Sequence, residues 1–157
     1  MPDVPAIAKV EDAWKAALAA WPALAGQSIV TDQSDAIALP EEEVPAVLIY
    51  TVAYAIAPDV ESGQDLHKAS LMFETVQKTP TVGTISRASH TVLANINGCI
   101  ANDRYLGGML QDCEPVDVAS AAANGKDVGE ASLRVDVEFY TPRGDWFTII
   151  GAAGALF

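Results

Sequence analysis

Basic residues and cysteine are scarce in this sequence. Nine Lys and Arg stand against twenty-one Asp and Glu, a formal net charge of −12 over 157 residues. Such a field repels phosphate backbones and anionic lipid, so tight nucleic-acid or membrane-surface binding is not expected. DNA stays acceptable as passing cargo, because a channel wall that must not grip DNA gains from acidity. Cys99 and Cys113 are the only two cysteines. Their spacing fits no zinc or redox motif, and both read as small packing residues. No apolar run reaches the ~20 residues of a membrane span, and Met1-Pro2-Asp3-Val4 lacks the basic start and apolar core of a signal peptide. A cytoplasmic site of synthesis and assembly is therefore expected, with no membrane partner.

Catalytic motifs are scarce too. His67 and His90, the only histidines, have no nucleophile or carboxylate at a recognisable local spacing, and a structural role is expected of both. Gly-Thr, Gly-Gly and Gly-Ala-Ala-Gly fragments occur, but none lies where a phosphate-cradling loop would join strand to helix. Asp32, Asp35, Glu41, Glu42 and Glu43, and again Asp59, Glu61 and Asp65, invite a calcium reading without the spacing of an EF-hand. Solvated loops explain them more simply, with a weak interfacial cation site left open. Asp103 with Asp112 or Glu114 could form an acid–base pair only if burial and separation raised one pKa. Trp14, Trp21 and Trp146 lack the basic groove of a base-stacking platform, so the first two read as core and Trp146 as a docking anchor. No catalytic, cofactor-binding or metal-binding residue is assigned.

What is present is apolar material, half of the residues, with 19% charged. That suffices for one folded core. Ile7, Val10, Trp14, Leu18 and Trp21 recur at helical spacing behind Asp3 as N-cap and Pro5 in the first turn. Pro22 and Gly26 stop this helix. A short strand at residues 28–31 leads into an acidic loop over residues 32–43. Residues 45–57 are rich in β formers and apolar on both alternating faces, which predicts a strand covered on both sides and central to the sheet. A long acidic tip at residues 58–65 joins it to a strand over 66–78, where His67, Ala69, Leu71, Phe73 and Thr75 share a face. Thr84 caps a second helix with the stripe Ile85, Ala88, Val92, Leu93, Ile96 and Ile100. A strand follows at 109–118, with Leu110, Asp112 and Glu114 alternating against Gln111, Cys113 and Pro115. A polar loop covers 119–129, and Ala131, Leu133, Val135, Val137 and Phe139 alternate cleanly with polar neighbours. The whole predicts an α+β fold: a mainly antiparallel or mixed sheet of four to five strands, with two principal helices on one side. Residues 1–142 form the domain, and residues 143–157 form an apolar C-terminal extension.

Pro45-Ala46-Val47-Leu48-Ile49-Tyr50, reached from an acidic loop behind an amphipathic first helix and followed by a Thr-containing hairpin with an acidic tip, resembles the tail-terminator family of long-tailed phages. That family includes the minor tail protein capping lambda-like tails. The resemblance continues through the helix at 85–101, the irregular acidic segment at 103–118 and the alternating strand ending Tyr140-Thr141. Residues 119–129 are longer than a plain hairpin turn, and residues 143–157 extend beyond compact members. The resemblance implies a structural, non-enzymatic virion protein of the neck. It would form a homo-hexameric ring on the tail tube, end tube polymerisation and present a head–tail joining surface to a connector or stopper. A stopper or adaptor is the alternative within that class, and a small-ligand-binding or hydrolase domain the alternative outside it.

Ring contacts need two different complementary surfaces on each subunit. Candidate partner residues are Asp59, Glu61 and Gln64 at the hairpin tip, and Asn124 and Lys126 in the polar loop. Arg134, Asp136 and Glu138 on the wet strand face could line a lumen. Trp146, Phe147, Ile149 and Ile150 are expected to bury against a neighbouring subunit or the tube.

Overall fold

The computed structural model describes residues 3–31, 44–78, 84–120 and 128–157. Ala6, Val10, Trp14 and Leu18 fall on one stripe of α1 (Ala6–Ala20), and all four are fully buried. Asp3 is not its cap. The residue before the helix is Pro5, which offers no side-chain acceptor. The Ala6 N–H, one of the donors a helix start leaves unpaired, instead reaches the Trp146 carbonyl at 2.7 Å. Trp21 and Pro22 then turn the chain into a single 3-10 turn, Pro22–Leu24.

Five strands make one mixed sheet: β1 (Ser28–Val30), β2 (Ala46–Asp59), β3 (Gln64–Lys78), β4 (Asp112–Ser120) and β5 (Val128–Pro142), in the order β1-β2-β3-β5-β4. Only β1 with β2 is parallel. The second helix, α2 (Ile85–Asn102), starts at Thr84, whose Oγ1 accepts the Arg87 N–H at 3.2 Å. α1 lies over β1 and β2, and α2 over β3 and β5. The core fills the layer between helices and sheet, with Val47, Ile49, Leu71, Phe73, Leu133 and Val135 on the strand side. Trp14 meets Phe73 edge to face at a ring separation of 6.2 Å. The α+β expectation holds, with both helices on one side of a five-stranded sheet.

Three local expectations change. The central strand is β3, which pairs along its whole length with β5 and nearly so with β2. On β2 only Ala46, Val47, Leu48 and Ile49 are buried on both faces, and residues 52–55 are exposed. The strand is longer than the helices that cover it, so its apolar second half projects. The hairpin tip is also short: pairing continues to Asp59 with Gln64, leaving a turn at residues 60–63.

A bulge at Val52 separates the Thr51–Leu71 pair from the Ala53–Ser70 pair. One extra residue reverses facing beyond it, so Tyr54 points to the helix side. β4 has its own irregularity between Pro115 and Asp117. An edge strand tolerates the missing N–H of Pro115. Of the expected alternating set, Cys113 is the residue buried within β4, with Leu110 buried just before it. Arg104 clips this strand to the turn after α2, donating to the Cys113 carbonyl at 2.7 Å, to Asp112 at 3.2 Å, and to Glu114.

Residues 143–157 are bound to the chain's own core. Ile149 is fully buried and exchanges backbone hydrogen bonds with Phe157 at 3.2 and 3.0 Å. The Ile150 N–H reaches the Tyr140 carbonyl at 2.8 Å, and Ala152 N–H reaches Gly108 at 2.8 Å. Lys9 Nζ on α1 donates to the carbonyls of Phe147 and Phe157 at 2.6 and 3.2 Å. Burial of Ile149 against a neighbour is thereby corrected: its apolar surface is satisfied within the subunit.

Candidate functional site

The sequence candidates divide among distinct surfaces. Asp59 and Gln64 close the β2–β3 ladder, and Glu61 is exposed in the turn. The Asp59 carboxylate accepts from Ser62 Oγ at 2.8 Å and the Glu61 N–H at 3.2 Å. The Ser62 hydrogen bond is the main reason its pKa is held below the usual carboxylate value, with Arg143 assisting. Arg143 Nη2 also donates to the Asp59 carbonyl at 3.2 Å, tying the tip to the end of β5. Asn124 and Lys126 lie outside the described residues.

Arg134, Asp136 and Glu138 share the outer face of β5, as their alternation requires. They are partly neutralised there: Ser70 Oγ donates to Asp136 at 2.6 Å, Arg134 Nε lies 3.5 Å from Asp136, and Lys68 lies 3.4 Å from Glu138. These pairs are exposed, so each contributes at most about 1 kcal/mol. The face is a mosaic of both signs.

Trp146 and Phe147 keep 51% and 44% of their surface exposed, whereas Ile150 is half-buried. Trp146 is nonetheless anchored, because its Nε1–H donates to Asp65 Oδ2 at 3.2 Å. The same oxygen accepts the Gly144 N–H at 3.4 Å. Asp145 Oδ1 accepts the N–H groups of Phe147 and Thr148, and the Phe147 bond leads in holding its pKa low.

Behind Trp146 lies a polar knot that sequence reasoning left as a lone histidine. His67 is fully buried, with Tyr54 Oη 2.5 Å from Nδ1 and Thr141 Oγ1 2.8 Å from Nε2. Its ring stacks on Phe139 at 4.7 Å and meets the edge of Trp146 at 6.1 Å. Burial lowers the His67 pKa against the opposing pull of Asp65, and burial pushes Tyr54 up to about 12. The Thr141–His67 spacing resembles a nucleophile with its base, but both side chains are fully buried and Tyr54 holds the second ring nitrogen. Three strands and the C-terminal segment are locked here, which is a structural task. The signal was distributed: His67 and Thr141 both sit at inward positions, but joining them needs the β3–β5 register and the Val52 bulge.

The other imagined acid pair is also spoken for. Asp103 accepts the Gly107 N–H at 2.9 Å, while Asp112 and Glu114 both hold Arg104. Cys99 and Cys113 are buried, and burial pushes the Cys113 thiol up to about 12. Among the described residues no group of three or more His, Cys, Asp or Glu side chains is gathered to hold a metal ion, and no helix is long and apolar enough to cross a membrane.

Besides Trp146 and Phe147, the exposed apolar side chains include Val52, Tyr54 and Val60 along the β2–β3 hairpin, Val116 and Val118 on the edge strand β4, Val4 before α1, Tyr105 after α2, and Leu156 in the C-terminal segment. Val118 borders a groove of about 410 Å3 between α2 and β4, floored by Leu133. A scan against protein-family models finds no match to this chain, and neither does a search of curated proteins.

Proposed function

We propose that this chain is a structural tail-terminator subunit, forming a ring on the head-proximal end of a phage tail tube. In that role it ends tube growth and offers the opposite face of the ring to a head-side connector. The observation that carries this reading is the β2–β3 hairpin, which runs beyond its helical cover and leaves Val52, Tyr54 and Val60 exposed. β5 accompanies β3 up to Pro142, so the uncovered edge is the outer half of β2 and the turn, and apolar side chains left there in water are stabilised when a partner covers them. The order of elements supports the reading as well: helix, short strand, long hairpin, helix and a closing strand pair follow the pattern that the strand Ala46 to Tyr50 suggested. The net charge of −12 suits a ring through which DNA passes without being held.

The test is assembly. The purified chain, measured by native mass spectrometry with and without tail-tube protein, is expected to form a closed ring of six 16.5 kDa subunits, about 99 kDa. Added to polymerising tube protein, it is expected to occupy one tube end in electron micrographs and halt elongation there. Tubes that reach the same length with and without the chain would refute the reading.

A further inference from the structure

The groove beside α2 is apolar with a cation, Arg87, on the neighbouring helix turn, the tip of the β2–β3 hairpin carries an exposed valine beside a carboxylate, and the two cannot meet within one chain. The groove is walled by His90, Leu93 and Ala94 on α2 and by Pro115 and Val118 on β4. Arg87 precedes His90 by three residues and Ala94 by seven, so it continues the same stripe of the helix at the groove's N-terminal end. α2 carries Arg87 and no Asp or Glu, in a chain of net charge −12. No ion pair among the described residues uses Arg87.

The hairpin turn presents the opposite character. Val60 is 81% exposed at its apex, with Glu61 beside it. Asp59 is engaged by Ser62 and Arg143, whereas Glu61 has no ion-pair partner among the described residues. The tip therefore offers one apolar knob flanked by one available carboxylate. Along β5, the register partner of Gln64 is Pro142 and that of Phe73 is Leu133, nine residues apart. At about 3.4 Å per residue the tip and the groove floor are about 30 Å apart along the sheet. A tip can reach a groove only between two molecules.

We infer that the hairpin tip of one copy seats Val60 in the α2–β4 groove of a second copy, with Glu61 set against Arg87. The partner is another copy because both halves of the contact are built into every chain; a foreign partner for one half would leave the other open. The contact joins two different surfaces, so its repetition generates a closed ring or a filament. It rests on the self-assembly part of the reading above and names the surfaces that reading leaves unspecified. A single knob is an anchor rather than a whole interface, so the residues around it supply the remaining buried area.

The test mixes two single-cysteine variants, Val60→Cys and Ala94→Cys, under mild oxidation. The native Cys99 and Cys113 are buried and stay out of the exchange. A disulfide between the two variants is expected to form at least about tenfold faster than between Ala94→Cys and a control at the exposed Val4. Separately, Val60→Asp and Arg87→Glu are each expected to raise the concentration needed for assembly by about tenfold or more, and Glu61→Lys is expected to restore the Arg87→Glu variant. Both changed side chains are exposed, so circular dichroism should show a native fold. A trapped disulfide no faster than the control, or assembly indifferent to these charges, overturns the inference. If the disulfide forms while tubes grow uncapped, the tail-terminator reading fails and this contact stands. If tubes are capped and Val60→Asp assembles like wild type, this contact alone fails.

Discussion

Replacing Ile149 by alanine separates two roles for the C-terminal segment. Ile149 has no exposed surface and belongs to the same apolar cluster as Trp14 and Phe73. Truncation removes three carbons, worth about 2.4 kcal/mol at roughly 0.8 kcal/mol each. A residual cavity adds to this, because the backbone around Ile149 is pinned by its two hydrogen bonds to Phe157 and relaxes only in part. A loss of about 3–4 kcal/mol follows, which in a chain of this size lowers Tm by roughly 6–16 °C. Thermal unfolding followed by circular dichroism at two protein concentrations is the assay, since a side chain buried in a partner would make the effect concentration-dependent. Phe147→Ala serves as the control; the residue keeps 44% of its surface exposed, and a smaller loss of about 1–2 kcal/mol is expected. If Ile149→Ala unfolds within about 2 °C of wild type at low concentration but no longer associates, the side chain works between subunits and the intramolecular argument is wrong.

Other positions give independent checks. A Cβ on Gly151 would sit 2.6 Å from the Gly108 carbonyl oxygen and closer still to the Phe157 ring, so Gly151→Ala is expected to cost about 1–3 kcal/mol in urea unfolding. His67 has a lowered pKa in the fold, so below its unfolded value of about 6.5 the unfolded chain binds the extra proton; stability therefore falls as pH drops from there toward the folded pKa. His67→Gln is expected to flatten that segment of the stability–pH curve; an unchanged slope would show that other groups produce it. Thr84→Ala removes the acceptor for the Arg87 N–H and is expected to cost about 1 kcal/mol in the same measurement. Cys99 and Cys113 are expected to react with a thiol reagent only at the rate of unfolding, because both are buried and burial raises both pKa values.

The parts of this fold legible in sequence are those whose signal is local. Ala131 to Phe139 alternate on β5 as written, and the Thr84 cap and the buried stripe positions Val92, Leu93, Ile96 and Ile100 of α2 match their expectations because capping and helical spacing are decided within one or two turns. The misread parts depend on partners far along the chain. Asp3 loses its role to the Trp146 carbonyl, more than a hundred residues away. β2 reads as doubly covered because Val52, Tyr54 and Ile56 are as apolar as Val47 and Ile49; only helix length and a one-residue bulge decide which of them are covered. The C-terminal segment reads as sticky for a partner because composition records apolarity without saying which surface receives it. Its alternation held a clue: Ile149 turns into the core while Ile150 bridges to Tyr140. Moving Ile149 into the core changes where association has to be sought. Ile149 is satisfied internally while Trp146, Phe147 and Leu156 keep exposed surface, and the charges on the outer face of β5 are partly paired among themselves. Among the exposed apolar side chains, Val60 lies at one end of the sheet beside Glu61, and Val118 lies near the other end beside the α2–β4 groove. Subunits joined through opposite ends of one sheet are related by a rotation that either closes or propagates, which is the geometry a ring requires.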